Sequence, residues 1–151
     1  MQDTSLIPPP APLQPGQILA RGVCRHLRAR DFATLEEYAP ERGRRVDVMA
    51  LGPKGEIWVI ECKSGLSDYR ADSKWRGYLA WADRFFWAVD VEFPAEILPA
   101  DTGLIIADAY NAEMVRMGPE TRLAGARRTA LTRRFARTAA RRLHRARDPL
   151  S

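Results

Sequence analysis

The pattern of apolar and polar residues is most distinctive in residues 44–65, where two short apolar runs are separated by a segment with glycine and proline: R-R-V-D-V-M-A-L-G-P-K-G-E-I-W-V-I-E-C-K-S-G. Residues 46–51 are rich in β-branched and apolar side chains and residues 56–62 alternate strongly, so the pattern predicts two β-strands. The intervening G-P-K-G is typical of a tight turn, because glycine tolerates positive φ angles and proline fixes its own φ. We therefore expect a β-hairpin around which the rest of the chain is arranged.

Helical spacing of apolar residues predicts a first helix over residues 16–30, with Leu19, Val23 and Leu27 on one stripe and arginines on the remaining faces. This helix contains no acidic residue. The other short apolar runs are β-prone and predict strands, over residues 31–38, 85–89, 103–107 and 113–117.

A second helix is predicted over residues 74–83, with Ser67 or Ser73 as its cap. Four of its side chains fall at i, i+3, i+4 and i+7, a spacing that places them on one packing face: Trp75, Tyr78, Leu79 and Ala82.

The last predicted helix, over residues 125–145, combines an apolar stripe with a basic face. The stripe recurs every fourth residue, at Leu131, Phe135, Ala139 and Leu143. The basic face contains five arginines within a sector of roughly 120°, at Arg133, Arg134, Arg137, Arg141 and Arg145. A solvated helix face is one interpretation, but neighbouring like charges repel, and we favour contact with nucleic acid.

Composition sets the class of protein. The 151 residues are 46% hydrophobic and 28% charged, as expected of one globular domain, assigned to residues 16–148. Residues 1–15 contain five prolines and predict a disordered or extended arm. Neither a membrane span nor a secretory signal is evident. The two cysteines, in apolar surroundings, are expected to be reduced packing residues of a cytoplasmic protein.

The charge is distributed unevenly along the chain. Residues 1–120 contain 14 Lys+Arg and 18 Asp+Glu, a net charge of −4. Residues 121–151 contain ten arginines and one acidic residue, a net charge of +9. An acidic partner is therefore expected, and nucleic acid is the commonest kind.

Three charged residues occupy unexpected places in the hairpin. Asp47 lies inside one apolar strand, and Glu61 and Lys63 end the other. A buried carboxylate is costly unless it is paired or binds a cation. A regular four-residue loop would place Asp47 opposite Ile60 and its side chain away from Glu61, so a shared site requires an odd loop or a bulge.

Metal-dependent phosphodiester hydrolysis is a chemistry that fits these residues. Asp47 and Glu61 would bind Mg²⁺ or Mn²⁺ through oxygen atoms, with the backbone carbonyl of Cys62 as a further ligand. Lys63 would orient the attacking water or stabilise the transition state. A structural ion pair at the end of a hairpin is an equally good interpretation of the spacing alone.

The order helix, strand, G-R-R-V-D-V, hairpin, I-E-C-K-S, helix and strand resembles the PD-(D/E)xK nuclease superfamily. Within it, the chain resembles the bacterial MmcB family, to which endonuclease activity in DNA repair is assigned by fold and motif. The resemblance covers nearly all of residues 16–148. The matching stretches are the hairpin, D-Y-R-A-D-S-K-W-x-x-Y, A-D-R-F-F-W-A-V, F-P-x-E-I-L-P-x-D-T-G-L-I-I-A-D and the arginine-rich tail.

The resemblance implies an α/β/α core around a mixed sheet of four or more strands. It also implies that Asp47 and Glu61 bind the metal and that Lys63 is the catalytic lysine. Glu37 is an auxiliary candidate, as a substitute for an acidic residue that many members take from the first helix. Lys74 is another, as a phosphate contact.

The expected function is therefore metal-dependent endonucleolytic cleavage of duplex or branched DNA in repair. The alternative is a non-catalytic DNA- or protein-binding repair module with a vestigial nuclease site. No membrane partner is expected, and a homodimer remains an open option.

Overall fold

A computed structural model describes residues 11–150 of the chain. Most of the predicted arm, residues 1–10, lies outside that range. The elements follow in the order α1 (Pro15–Ala29), β1 (Ala33–Glu41), β2 (Arg44–Leu51), β3 (Ile57–Cys62), α2 (Leu66–Ala71), a 3-10 helix (Trp75–Trp81), β4 (Arg84–Val89), a short 3-10 turn (Ala95–Ile97), β5 (Gly103–Ala107), β6 (Ala112–Arg116) and α3 (Gly125–Arg147).

The six strands form one mixed sheet in the order β1-β2-β3-β4-β5-β6. β1, β2 and β3 are antiparallel neighbours, β3, β4 and β5 are parallel, and β6 returns antiparallel to β5. The parallel β3–β4 connection contains α2 and the 3-10 helix, as a crossover requires more chain than a hairpin does. The expected α/β class, with a mixed sheet of at least four strands and a C-terminal helix, is confirmed.

Side chains that alternate along β3 enter two separate cores. Ile57 and Val59 pack with residues of α3 and the 3-10 helix, whereas Trp58 and Ile60 pack on the opposite face with residues of α1. The sheet is therefore covered on both faces, and its central strands are protected from water. The strand predicted here is confirmed, but all six of its residues are buried because both faces are covered, so burial does not alternate along it.

The predicted helix over residues 74–83 is wrong in kind. The chain forms the short α2 earlier and then a 3-10 helix, and neither of the two serines proposed as the cap makes a capping hydrogen bond. A 3-10 helix has three residues per turn, so Trp75 and Tyr78 align and are buried. Leu79, which was expected to pack beside them, is 44% exposed.

The start of α3 is fixed by a buried carboxylate that the sequence did not single out. Asp83 accepts hydrogen bonds from the backbone amides of Ile57 (2.8 Å) and Leu123 (2.9 Å) and from Arg128 Nη1 (2.6 Å). Burial opposes ionisation, but the Arg128 hydrogen bond and the two amides outweigh it and lower the pKa of Asp83. One side chain thus joins β3, the start of β4 and α3.

Apolar packing of α3 is confined to its first half. Leu131 and Phe135 are buried and Ala139 is half-buried. Leu143, expected on the same stripe, is 61% exposed, so the prediction for its position is wrong. No helix in residues 11–150 combines the length and the apolar character needed to cross a bilayer.

Candidate functional site

The hairpin register brings Asp47 opposite Glu61. Leu51 pairs with Ile57 and Val48 pairs with Ile60, so the connection contains five residues, not four. Continuing that register by one step places Asp47 across from Glu61, which is the odd loop that a shared site requires. The regular-loop alternative, with Asp47 facing Ile60, is excluded.

Two side-chain hydrogen bonds join the strands where their pairing ends. The Asp47 amide donates to Glu61 Oε1 at 3.0 Å, and the Cys62 amide donates to Asp47 Oδ2 at 2.8 Å. Each carboxylate therefore satisfies a backbone donor of the neighbouring strand, and both reach into the gap between β2 and β3. This arrangement brings two acidic groups together at the edge of the buried core.

Burial and mutual repulsion disfavour ionisation of this pair. Burial is the largest cause and the charge of Asp47 the next, and together they raise the pKa of Glu61 to about 8. Burial also raises the pKa of Asp47, although the Cys62 amide and the Lys63 charge oppose it. The pair is therefore expected to hold a proton near neutral pH, a proton that a bound cation would replace.

Lys63 is buried beside the pair, but its ammonium group is bound by α2 and the residue that follows it. Its Nζ lies 2.9 Å from Asp72 Oδ2 and 3.9 Å from Asp68 Oδ1. Burial alone would lower the pKa of Lys63, but the Asp72 hydrogen bond and the nearby carboxylate charges raise it overall. Lys63 is thus a fixed cation next to the two carboxylates.

Asp72 is in turn held by the backbone. Its Oδ1 accepts hydrogen bonds from the amides of Lys74 (2.8 Å) and Trp75 (3.1 Å), at the start of the 3-10 helix. No specific role was predicted for Asp72 from the sequence. A buried lysine needs a carboxylate partner, and the two acids that follow Lys63 within ten positions are Asp68 and Asp72. The sequence therefore offered both as candidate partners of Lys63.

The oxygen atoms of this site suit a hard divalent cation that takes only a few of its ligands from the protein. In residues 11–150 no group of three or more His, Cys, Asp or Glu side chains is arranged to bind a metal. Mg²⁺, however, is usually bound by one or two carboxylates, and water and phosphate oxygens complete its coordination. Asp47 and Glu61 supply two such carboxylates, and the Cys62 carbonyl remains the predicted third protein ligand.

The two auxiliary candidates lie on different sides of the pair. Glu37 is opposite Asp47 in the β1–β2 register and has a left-handed φ of 48°. Glu37 and Asp47 line a cleft of about 200 Å³ together with α1 residues, and Gln17 Nε2 donates to Glu37 Oε1 at 3.5 Å. Lys74 is exposed and lines a separate cleft of about 360 Å³.

Tyr78 lines that second cleft and is close enough to the acidic pair for the charge of Glu61 to affect its pKa. The ring is 7% exposed, and the side chain lines the cleft beside Arg44 and Lys74. Burial is the largest cause of its raised pKa, followed by the charges of Glu61 and Asp72. Helical spacing predicted only a core role for Tyr78, and its proximity to the pair depends on the 3-10 conformation.

Arginines of α3 divide into anchors and a free row. Arg134 Nε donates to the Ala39 carbonyl at 2.9 Å, and Arg142 donates to the carbonyls of Glu36 (2.5 Å) and Glu37 (2.9 Å). These bonds fix α3 against β1. Arg134, predicted to bind DNA, is therefore engaged with the backbone of its own chain.

The other four predicted arginines recur at every fourth position and are exposed. None of their side chains makes an ion pair or hydrogen bond with any residue in the described part of the chain. The row spans about 18 Å along the helix axis. We call it the arginine ridge, and it consists of Arg133, Arg137, Arg141 and Arg145.

The fold and the site together define a mixed-sheet α/β protein with a basic helix, a buried lysine and an acidic pair in which Glu61 is buried and Asp47 is half-buried. The model of the family described as "DNA repair protein MmcB-like" matches residues 14–150. The chain belongs to this MmcB-like family.

One solved structure is similar over nearly the whole chain. It is a protein of unknown function from Silicibacter pomeroyi, 69% identical, with a TM-score of 0.89 over 91% of this chain and 94% of that chain. A comparison with curated proteins found no match.

Proposed function

We propose that the protein is a divalent-metal-dependent DNA endonuclease of repair, with Asp47, Glu61 and Lys63 as its catalytic residues. The observation that carries the proposal is the register that sets Asp47 opposite Glu61, together with the buried Lys63 two residues further on. The family description supports a role in DNA repair, and the basic α3 supports DNA as the partner.

Each residue has a distinct task in this proposal. Asp47 and Glu61, with the Cys62 carbonyl, would hold Mg²⁺ or Mn²⁺. Such an ion, when bound, supplies activation of a water molecule and polarisation of the phosphate. Lys63 keeps its proton because Asp72 holds it, so it stabilises negative charge on the phosphate and does not act as a base.

Substrate binding is assigned to the arginine ridge. Arg142 fixes α3 beside Glu36 and Glu37, and Glu37 shares a cleft with Asp47, so the ridge is carried by a helix anchored at the site. Lys74 provides a further cation beside Tyr78 for phosphate contact, whereas the neighbouring Arg44 is paired with Glu41 at 3.0 Å. Both cysteines are buried free thiols, which supports action in a reducing cytoplasm.

The alternative function is a non-catalytic DNA- or protein-binding repair module. A specific observation favours it, because Asp47 and Glu61 both bind backbone amides and thereby have a structural use. Lys63 also pairs with Asp72 and not with the acidic pair, as a purely structural lysine would.

A cleavage assay tests the proposal. Plain duplex, nicked, flapped and branched DNAs are incubated with Mg²⁺ or Mn²⁺ and with the wild type, Asp47→Asn, Glu61→Gln and Lys63→Ala. At least one DNA should be cut by the wild type, and each variant should lose turnover while keeping its fold. Glu92→Gln, at an exposed position after β4, is the matched control and should cut normally. Equal cutting by wild type and Asp47→Asn would contradict the proposal.

A further inference from the structure

Tyr110 is an exposed aromatic residue on a rigid turn between β5 and β6. Its side chain is 70% exposed, although tyrosine is usually at least partly covered. Asp108 Oδ1 accepts hydrogen bonds from the amides of Tyr110 (2.8 Å) and Asn111 (2.9 Å), and the Asp108 amide donates to the Asn111 carbonyl at 3.0 Å. The ring is therefore presented to solvent by a backbone that has little freedom.

The same turn is packed closely against α1. A Cβ added at Gly22 would lie 1.9 Å from the Asp108 carbonyl oxygen and 2.6 Å from that of Asn111. Only glycine permits this close approach, which holds the turn that carries Tyr110 against α1. An exposed ring on so rigid a support is suited to contact a partner, since little ordering entropy is lost on binding.

Two arginines of α1 lie over this ring. The guanidinium carbons of Arg21 and Arg25 lie 5.9 Å and 6.0 Å from the ring centroid of Tyr110. Both side chains are exposed, and neither forms an ion pair or hydrogen bond with residues 11–150. Because α1 contains no acidic residue, the positive charge of this pair is not neutralised from its own helix.

The two arginines continue a row that begins at the candidate active site. Gln17, Arg21 and Arg25 are four residues apart on α1, so they lie along one side of the helix over about 12 Å. Gln17 contacts Glu37 and lines the cleft that also contains Asp47. The row therefore leads from the acidic pair to Tyr110 on a path separate from the arginine ridge.

We propose that Tyr110, Arg21 and Arg25 bind an unpaired single strand of DNA, with one base stacked on the ring and phosphates bound by the two guanidinium groups. A stacking ring and flanking cations are the features by which proteins bind single strands without sequence preference. Bases inside a duplex are already stacked and leave no face for Tyr110. If the protein is the proposed endonuclease, its substrate carries a single-stranded segment next to the cut, and this consequence rests on the proposed function.

Binding can be tested without catalysis. Fluorescence anisotropy with labelled oligothymidine, and with a duplex of the same length, is measured in EDTA for wild type, Tyr110→Phe and Tyr110→Leu. Tyr110→Leu should weaken single-strand binding roughly 5- to 100-fold, because one stacked base is lost, and should leave duplex binding nearly unchanged. Tyr110→Phe keeps the ring and should bind as the wild type does.

The arginines are tested with a charge-matched control. Arg21→Gln and Arg25→Gln should each weaken binding of oligothymidine and reduce its salt dependence by about one contact. Arg30→Gln removes the same charge from an exposed position just after α1, away from Tyr110, and should have little effect. The thermal unfolding of each variant is recorded so that a loss of fold is recognised.

The outcomes separate this inference from the proposed function. Unchanged oligothymidine affinity in Tyr110→Leu, or equal loss on single strand and duplex, would overturn the inference. The inference would also be overturned if an acidic peptide displaced oligothymidine from the wild type but not from Tyr110→Leu. That result would assign the surface to a protein segment. Because no cleavage is required, a protein that fails to cut DNA can still pass this test.

Discussion

The buried Glu61 of the acidic pair predicts an unusual dependence of stability on pH in the absence of metal. The pKa of Glu61 is about 8 in the folded chain against 4.5 as its ordinary value. A raised carboxyl pKa contributes stability that is fully present below about pH 4.5 and is lost as the pH rises through about 8. The difference corresponds to at most about 5 kcal/mol of unfolding free energy, since each pKa unit is worth about 1.4 kcal/mol.

The perturbation is Glu61→Gln, which keeps the acceptor for the Asp47 amide but cannot ionise. Urea unfolding is measured in EDTA at several pH values between about 5 and 9. The unfolding free energy of the wild type, minus that of the variant, should fall by a few kcal/mol over this interval. At high pH the variant should be the more stable protein, because its neutral amide avoids the repulsion from Asp47.

Taking the difference between the proteins removes titrations that they share. His26 is one of these, because burial lowers its pKa and its contribution to stability therefore decreases as the pH falls. Glu92→Gln is the control and should follow the wild-type curve. Parallel curves for wild type and Glu61→Gln from pH 5 to 9 would refute the account of a strained acidic pair.

Three further predictions concern residues outside the acidic pair. Asp83→Asn should lower the unfolding free energy by about 3 kcal/mol in urea titrations, since it leaves Arg128 without its buried partner; a loss below about 1 kcal/mol would contradict this. Gly22→Ala should lower the thermal midpoint although alanine favours helices by about 1 kcal/mol, because the added methyl group meets a backbone carbonyl; a gain would contradict it. The third prediction concerns a variant in which three ridge arginines are replaced by glutamine: Arg133, Arg137 and Arg141. In anisotropy titrations on duplex DNA at several salt concentrations, its slope of log K against log[salt] should be shallower than that of the wild type by up to about 2.7. An unaltered slope would show that the ridge does not contact DNA.

The hairpin was predictable because two β-prone apolar segments flank the turn residues G-P-K-G. What this pattern could not fix was the length of the loop. Gly55 adopts a φ of 84° and the Gly52 amide donates to the Glu56 carbonyl, so Glu56 belongs to the connection and not to β3. One residue of loop decides whether Asp47 and Glu61 face each other, and this depends on turn geometry rather than on hydrophobic pattern.

The partners of the charged site residues were less accessible to sequence reasoning. Lys63 pairs with Asp72 only because the chain forms α2 and then a 3-10 helix in place of one longer α-helix. Asp83 and Arg128 are 45 positions apart, and no local pattern relates them. Arginines of α3 looked equivalent along the helix, yet Arg134 is an anchor because Ala39 of the sheet edge lies within its reach.

The metal site can be tested by titrating the metal-free protein with Mn²⁺, with binding measured by calorimetry and by the paramagnetic signal of the free ion. The wild type should bind the ion at a saturable site and release protons at neutral pH, because metal ligands must be deprotonated. Asp47→Asn and Glu61→Gln should lose this binding, whereas Glu92→Gln should retain it. Saturable binding that is equally strong in Asp47→Asn, or no binding by the folded wild type, would contradict the claim that Asp47 and Glu61 form a metal site.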